Sequence, residues 1–123
     1  MKFYICNHCK NEVVMVVDKG VVPVCCGEPM KELKANTTDA ANEKHVPVVT
    51  INGDTLTAVV GSVEHPMQDV HYIEWICVET EGGFQIKYLK PGEKPELTFA
   101  LGGAKPVAVY EYCNLHGLWK AEL

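Results

Sequence analysis

After residue 46 the chain alternates between short apolar runs and turn-forming breaks. The runs are rich in Val, Ile, Thr and aromatic residues, which favours strands over helices. The breaks contain Asn-Gly-Asp, Gly-Gly and Pro-Gly sequences, and no long helical pattern intervenes. The seven predicted strands are residues 48–51, 55–60, 72–78, 84–88, 96–100, 107–111 and 118–121. Short strands at this spacing predict an all-β domain, an antiparallel sandwich of immunoglobulin-like type.

Side-chain phase indicates which strand faces are buried. Ile73, Trp75 and Cys77 alternate along one predicted strand, so we expect them to share one buried face. Cys77 is then a structural thiol, because free cysteine often behaves as a small hydrophobic residue. Phe99 and Trp119 are also expected in the core.

The first part of the chain has a different pattern. Residues 13–17 form a β-branched run that predicts a strand, and Lys19-Gly20 predicts a turn. Residues 35–42 are small and polar without periodicity, which is typical of a linker, with one helical turn expected at 38–42. We therefore predict two domains, residues 1–36 and residues 37–123.

Composition narrows the classes of function. The chain has 123 residues, 47% of them hydrophobic, which is enough for a buried core. No apolar run approaches the roughly 20 residues that a membrane span needs. The net charge of -5 argues against nucleic acid as a partner. The N-terminus shows no export signal, so we expect a reducing cytoplasm, where cysteines more often bind metals than form disulfides.

Four of the six cysteines lie within the first 26 residues. The two-residue gap between Cys6 and Cys9 lets both thiolates face one ion. Cys25 and Cys26 are adjacent, so the backbone must bend for both to bind it, and Gly27 permits such a bend. The set predicts a tetrahedral four-thiolate site that stabilises a unit too small to fold alone. The spacing does not distinguish zinc from iron, and the alternatives without a metal are two disulfides or unrelated buried thiols.

A second set of candidate ligands lies in the longer part of the chain. Cys113 and His116 flank a predicted turn, while His45, His65 and His71 each lie at the end of a predicted strand. Loops at one end of a sandwich can bring such residues together. Five nitrogen and sulfur ligands exceed the four that zinc usually takes. Iron(II) accepts four imidazoles in a plane with an axial thiolate, which leaves one coordination position for a reactant.

Simple electrostatics indicates what such a site would attract. Iron(II), one thiolate and four neutral imidazoles leave a charge of about +1, which would draw a small anion. A thiolate opposite the open position pushes electron density toward the bound species, which favours electron donation to an oxygen species.

These motifs resemble those of the desulfoferrodoxins, the two-iron form of superoxide reductase, over essentially the whole chain. The four N-terminal cysteines are similar to a desulforedoxin-like, rubredoxin-type iron site. The matching motifs of the longer domain are Glu43-Lys44-His45-Val46-Pro47, His65-Pro66-Met67, His71-Tyr72-Ile73-Glu74-Trp75-Ile76 and Cys113-Asn114-Leu115-His116-Gly117-Leu118-Trp119.

The resemblance implies two iron ions per chain and the reduction of superoxide to hydrogen peroxide at the His4Cys iron. It also implies that Glu43 ligates the oxidised iron, and that Lys44 attracts superoxide and assists its protonation through water. Rubredoxin-like electron donors and a homodimer are further implications. The competing hypotheses are a pure electron carrier that uses the four-cysteine iron, a zinc-stabilised binding module without redox chemistry, and a superoxide dismutase.

Overall fold

The computed structural model describes residues 1–123 and divides them into two units, Met1–Lys34 and Ala35–Leu123. The first unit contains β1 (Phe3–Ile5), β2 (Glu12–Val14), β3 (Val24–Cys25), β4 (Glu28–Pro29) and β5 (Lys31–Glu32). The second contains helix α1 (Asn42–His45) and strands β6 (Pro47–Asn52), β7 (Thr55–Val60), β8 (Ile73–Thr80), β9 (Gly83–Tyr88), β10 (Glu96–Ala100), β11 (Pro106–Cys113) and β12 (Gly117–Glu122).

The second unit is a sandwich of two antiparallel sheets. One sheet has the order β10-β7-β6 and the other has the order β12-β11-β8-β9. Each of the seven predicted strands is present, so the all-β, immunoglobulin-like prediction is confirmed. The start of β8 and the end of β11 position candidate ligands, because His71 lies just before β8 and β11 ends at Cys113.

Alternating side chains of β7 fill the space between the sheets. Leu56, Ala58 and Val60 are fully buried, whereas the residues between them are partly exposed. They pack in one cluster with apolar residues of the facing sheet, namely Ile73, Ile76, Val78, Val109 and Cys113. The metal-ligand candidate Cys113 is therefore continuous with the hydrophobic core.

An irregularity in β8 corrects one prediction about side-chain phase. The pairing of β8 with β11 shifts between Trp75, which lies opposite Tyr112, and Ile73, which lies opposite Cys113. The additional residue changes the side-chain alternation at this point. Ile73 consequently packs in the inter-sheet core with Ile76 and Val78, and the expectation that it shares a face with Trp75 and Cys77 is wrong.

Two local predictions also need correction. The strand expected at residues 13–17 is shorter, since β2 ends at Val14 and Val16 and Val17 are exposed. The helical turn expected at 38–42 lies instead at Asn42–His45. It ends there because Pro47 follows, and a residue before proline disfavours the helical conformation. This shift places His45 on α1 itself, and α1, at four residues, is too short to cross a membrane.

The first unit is built from two small sheets. One has the order β2-β1-β5, and the other is the hairpin of β3 and β4. Its buried apolar residues are Phe3, Tyr4, Cys6 and Met30, and the last three form one cluster with Met15 and Cys25 packed against it. So small a core cannot offset the loss of chain entropy on folding, which makes a bound metal the expected source of stability.

Candidate metal centres

The four N-terminal cysteines converge on one point. Their Sγ atoms all lie within 4.8 Å of one another, although Cys9 and Cys26 are exposed and Cys6 is buried. The sulfurs of Cys9 and Cys25 are 3.6 Å apart, far longer than the roughly 2.05 Å of a disulfide bond. All four are free thiols, and the disulfide alternative is therefore wrong.

Backbone hydrogen bonds shape the turns that carry these thiols. The N–H of Lys10 donates to the Cys6 carbonyl at 3.0 Å, and the N–H of Cys9 points at the Cys6 sulfur at 3.4 Å. Cys26 adopts a left-handed conformation with φ of 54°, followed by Gly27 at 75°. Adjacent side chains on a regular strand point to opposite faces, and this bend directs those of Cys25 and Cys26 to the same side.

The proton affinities of these thiols indicate a cation site. The backbone N–H of Cys9 lowers the pKa of Cys6 to about 6. Hydrogen bonding to Cys9 and Cys6 raises the pKa of Cys25, and it raises that of Cys26 to about 12. Four thiolates this close repel one another, so all four lose their protons only when a cation lies between them. The set fits a tetrahedral iron or zinc ion.

Four histidines of the second unit form a closed ring. Neighbouring ring centroids are 4.6 Å apart for His45 and His65, 4.7 Å for His65 and His71, 5.0 Å for His71 and His116, and 5.0 Å for His116 and His45. Three of the four pairs are nearly perpendicular, with interplanar angles from 81° to 84°. Imidazoles arranged in a square can direct one nitrogen each toward a common centre, and His45, His65 and His116 each have a ring nitrogen within 4.8 Å of the other two.

Two of the inward nitrogens lack a hydrogen-bond partner within the protein. Nε2 of His65 and Nε2 of His71 are buried without a hydrogen bond. The Nδ1–H of His65 donates to the Pro66 carbonyl at 2.7 Å, which leaves the lone pair on Nε2. Nε2 of His45 and Nδ1 of His116 are 3.1 Å apart. Two nitrogens that bind one ion at right angles, each about 2.1 Å from it, lie about 3.0 Å apart. These spacings fit a metal ion.

Cys113 completes the donor set from the core side. Its side chain has 0% exposure, and its Sγ lies 4.0 Å from Nδ1 of His116. The donor atoms of His45, His65, Cys113 and His116 all lie within 4.8 Å of one another. His71 is outside that tightest set, but its ring contacts those of His65 and His116. Burial raises the pKa of the Cys113 thiol to about 11, so a nearby cation is needed to keep it as a thiolate.

Asn114 and Trp119 hold the segments that supply these donors. Asn114 accepts a hydrogen bond from the N–H of Tyr72 at 2.9 Å and donates to the carbonyl of Val70 at 3.1 Å, so it contacts both neighbours of His71. The indole N–H of Trp119 donates to the His116 carbonyl at 3.1 Å, and its ring stacks on His45 at 4.7 Å. These contacts fix the rings before any metal binds.

Glu111 is a residue near the site that sequence reasoning missed. Its side chain is fully buried, both carboxylate oxygens lack a hydrogen bond, and one lies 3.7 Å from Nδ1 of His45. A carboxylate behind a metal-binding histidine commonly orients the ring and fixes its tautomer. A signal was present in the sequence, because Glu111 is the only charged residue of apolar β11 and lies two positions before Cys113, on the same strand face.

Glu43 and Lys44 lie on α1 next to the ring and are exposed, whereas His45 is buried. Burial lowers the pKa of His45, His65 and His71, and the charge of Lys44 lowers each of them further. Lys44 is thus close enough to act electrostatically on three of the four rings. With buried Cys113 on the core side, the exposed pair provides charge on the solvent side.

We expect the sandwich, once stripped of metal by a chelator, to become more stable as the pH rises from 4 to 6.5. Burial lowers the pKa of both His45 and His65 from 6.5 to about 4. The unfolded chain therefore binds more protons in this window, and stability is lost on acidification. Each shift alone corresponds to about 3 kcal/mol, but the two do not simply add, because the charge of His65 contributes to the shift of His45.

Glu111 opposes this trend, because burial raises its pKa well above 4.5 and its contribution falls as the pH rises. The rise should hence be steeper in Glu111→Gln. Urea unfolding followed by tryptophan fluorescence would measure the stability of the parent protein and of Glu111→Gln, since Trp75 and Trp119 lie in the second unit. A free energy of unfolding that stays flat or decreases from pH 4 to 6.5 would contradict the assigned burial of these imidazoles.

Together, the four-cysteine unit and the sandwich with its histidine ring and buried thiol define a non-haem iron protein with two metal sites. The desulfoferrodoxin family model matches residues 37–122. The chain is 50% identical over 121 residues to the desulfoferrodoxin of Nitratidesulfovibrio vulgaris, covering 98% of this chain and 95% of that protein. The chain therefore belongs to the desulfoferrodoxin family.

Solved structures extend the comparison to the three-dimensional fold. The superoxide reductase of Treponema pallidum superposes with a TM-score of 0.81 at 37% identity, covering 98% of both chains. The one-iron superoxide reductase of Giardia intestinalis gives a TM-score of 0.53 at 32% identity, covering 66% of this chain and 99% of that one. The fold and the relatives place the chain among iron-binding oxidoreductases.

Proposed function

We propose that this protein is a superoxide reductase, which converts superoxide, one electron and two protons into hydrogen peroxide. The reaction takes place at a mononuclear site formed by His45, His65, His71, His116 and Cys113. The observation that supports this most directly is the closed ring of four imidazoles beside a fully buried thiol. No such set is needed by an electron carrier or a zinc-stabilised binding module.

We assign the two domains distinct roles. Residues 1–36 form a desulforedoxin-like domain that holds one iron through Cys6, Cys9, Cys25 and Cys26, and residues 37–123 form the catalytic domain. The division of the structure near residue 34 and the small core of the first unit support this assignment. The donor sets do not overlap, so each site can bind its metal independently.

The residues around the site divide the work of catalysis. The five donors would hold an iron(II) ion, which would supply the electron. Cys113, as a thiolate on the core side, increases the electron-donating power of the site. The four neutral imidazoles add no charge, which leaves the site about +1 and attractive to an anion. The apolar residues packed around Cys113 exclude water from the sulfur.

The exposed pair on α1 acts on the solvent side. Lys44 provides a local cation in a chain of net charge -5, and it attracts superoxide and passes a proton to the reduced product through water. Glu43, as the family resemblance implies, would be a ligand to the oxidised iron. The electrostatic effect of Lys44 on His45, His65 and His71 supports this location.

We further propose a rubredoxin-type electron donor and a homodimer, both implied by the family resemblance. The first unit has exposed apolar side chains suited to contact with another protein surface. Five valines there are between 45% and 77% exposed, namely Val16, Val17, Val21, Val22 and Val24.

The yield of peroxide distinguishes reduction from dismutation. A reductase supplied with an electron donor forms one hydrogen peroxide per superoxide and releases no dioxygen, whereas a dismutase forms half as much peroxide together with dioxygen. Superoxide should be generated at a known rate, with peroxide, dioxygen and donor oxidation recorded together. Release of dioxygen in proportion to superoxide would contradict the proposal, and no consumption of superoxide would favour the electron carrier.

We predict that Lys44→Ala slows the encounter with superoxide by roughly 10-fold and flattens its dependence on ionic strength, because the local positive charge is lost. Pulse radiolysis at several salt concentrations would measure the second-order rate. Lys105→Ala is the matched control: it removes the same charge from just before β11, a strand that runs roughly 25 Å from Pro106 to Cys113. Equal responses of the two variants would mean that net charge, and not Lys44, guides the anion.

A further inference from the structure

The loop of residues 61–65 lies directly against the peptide between Glu43 and Lys44. The N–H of Val63 donates to the Glu43 carbonyl at 2.9 Å, and the hydroxyl of Ser62 donates to the same oxygen at 3.3 Å. The loop then continues to His65, whose N–H donates to the Val60 carbonyl at 3.3 Å. One loop therefore contacts the backbone of the exposed pair and carries a ring of the metal site.

Gly61 makes this contact possible. A Cβ atom at this position would lie 2.4 Å from the Glu43 carbonyl oxygen and 2.7 Å from the Lys44 carbonyl carbon. Both atoms belong to the backbone, so they cannot move aside as a flexible side chain would. Any larger residue at this position must separate the loop from α1.

The Glu43 carbonyl depends on this loop for its hydrogen bonds. In a continuing helix it would accept from the N–H of residue 47, but that residue is Pro47, which has no N–H. α1 also has no side-chain cap and only four residues, so it has little stability of its own. Val63 and Ser62 supply the donors that the chain itself cannot.

We propose that Gly61 is a positioning residue, which lets the 61–65 loop fix the Glu43–Lys44 peptide and thereby hold these two side chains at the solvent side of the histidine ring. This inference rests on the proposed function of the ring. Because the same loop carries His65 and α1 carries His45, the exposed pair and two donors form one unit. Glu43 and Lys44 then act from fixed positions and not from a loose surface loop.

Amide hydrogen exchange tests this inference without reference to activity. Val63 is exposed, so its amide is protected only while it donates to the Glu43 carbonyl. We expect the Val63 amide to exchange at least about 10-fold faster in Gly61→Ala than in the parent protein. Gly82→Ala is the matched control, since a Cβ at Gly82 meets nothing within 4 Å, and it should leave the exchange of Val63 unchanged.

The rate of the iron-loaded protein gives the second readout. Gly61→Ala should keep its iron but react several-fold more slowly, with the flattened salt dependence expected of Lys44→Ala. If Gly61→Ala does not fold, Ser62→Ala tests the loop contact through the rate and its salt dependence, because it removes one of the two donors to the Glu43 carbonyl.

Unchanged Val63 exchange in the folded variant, or an unaltered rate and salt dependence, would overturn the inference. Failure of the parent protein to reduce superoxide would instead contradict the proposed function. The exchange of the Val63 amide would still test the contact between the 61–65 loop and the Glu43–Lys44 peptide.

Discussion

Replacing Cys113 with serine should abolish the reduction of superoxide, lowering the rate by at least about 100-fold. The thiolate is the only anionic donor among the five ligands proposed for iron(II), and a serine hydroxyl is a far poorer electron donor. Cys113 is also part of the hydrophobic core, so a hydroxyl at this position adds the cost of burying a polar group. The measurement is iron content, visible absorption and superoxide consumption of the same preparation.

Cys77→Ser is the matched control for this variant. Cys77 is equally buried, with 0% exposure, and lies on neighbouring β8, opposite Tyr110. Its thiol takes no part in either metal set, and burial raises its pKa to about 12. Cys77→Ser should lose stability but keep both irons and the reaction. Unchanged activity in Cys113→Ser, or an equal loss of activity in both variants, would contradict the proposed role of Cys113 as a ligand of the catalytic site.

Replacing Cys9 with serine should remove the first iron and unfold the first unit, while the sandwich keeps its iron and its activity. A structural metal in a small domain can contribute about 10–16 kcal/mol of apparent binding free energy, which the small core cannot replace. Iron content should fall from two to one per chain. Limited proteolysis should then cut within residues 1–34.

His8→Ser is the control for Cys9→Ser, because His8 lies in the same turn with an exposed side chain outside the cysteine set. It should retain both irons and resist proteolysis as the parent protein does. Loss of both irons in Cys9→Ser would mean that the two sites are not independent, contrary to the assignment of two domains.

Much of this protein follows from local patterns. The turn residues between the apolar runs marked every strand of the sandwich, since glycine, proline and asparagine favour turn conformations whatever surrounds them. The cysteine spacing indicated the first cluster, because the adjacent pair needs a bend beside Gly27, and Cys26 adopts a positive φ there. The five candidate donors of the second cluster are brought together, and their role as ligands stays a proposal.

Other features could not be predicted, because they depend on partners distant in the chain. The change of phase at Ile73 arises from pairing with β11, which begins more than 30 residues later. The helix at Asn42–His45 receives hydrogen bonds at its Glu43 carbonyl from Ser62 and Val63, which lie about 20 residues further along the chain. Periodicity within a segment carries no information about such pairings.

The amino-acid sequence alone determined the class of the fold, the two groups of donors and the family, because turn chemistry and ligand type are properties of the residues themselves. Only the tertiary structure decided which nitrogen each ring presents, that Glu111 lies buried behind His45, and that Gly61 lies against the Glu43–Lys44 peptide. The reason is physical: these features are set by distances between atoms of different strands and loops, and such distances exist only after the sheets have packed.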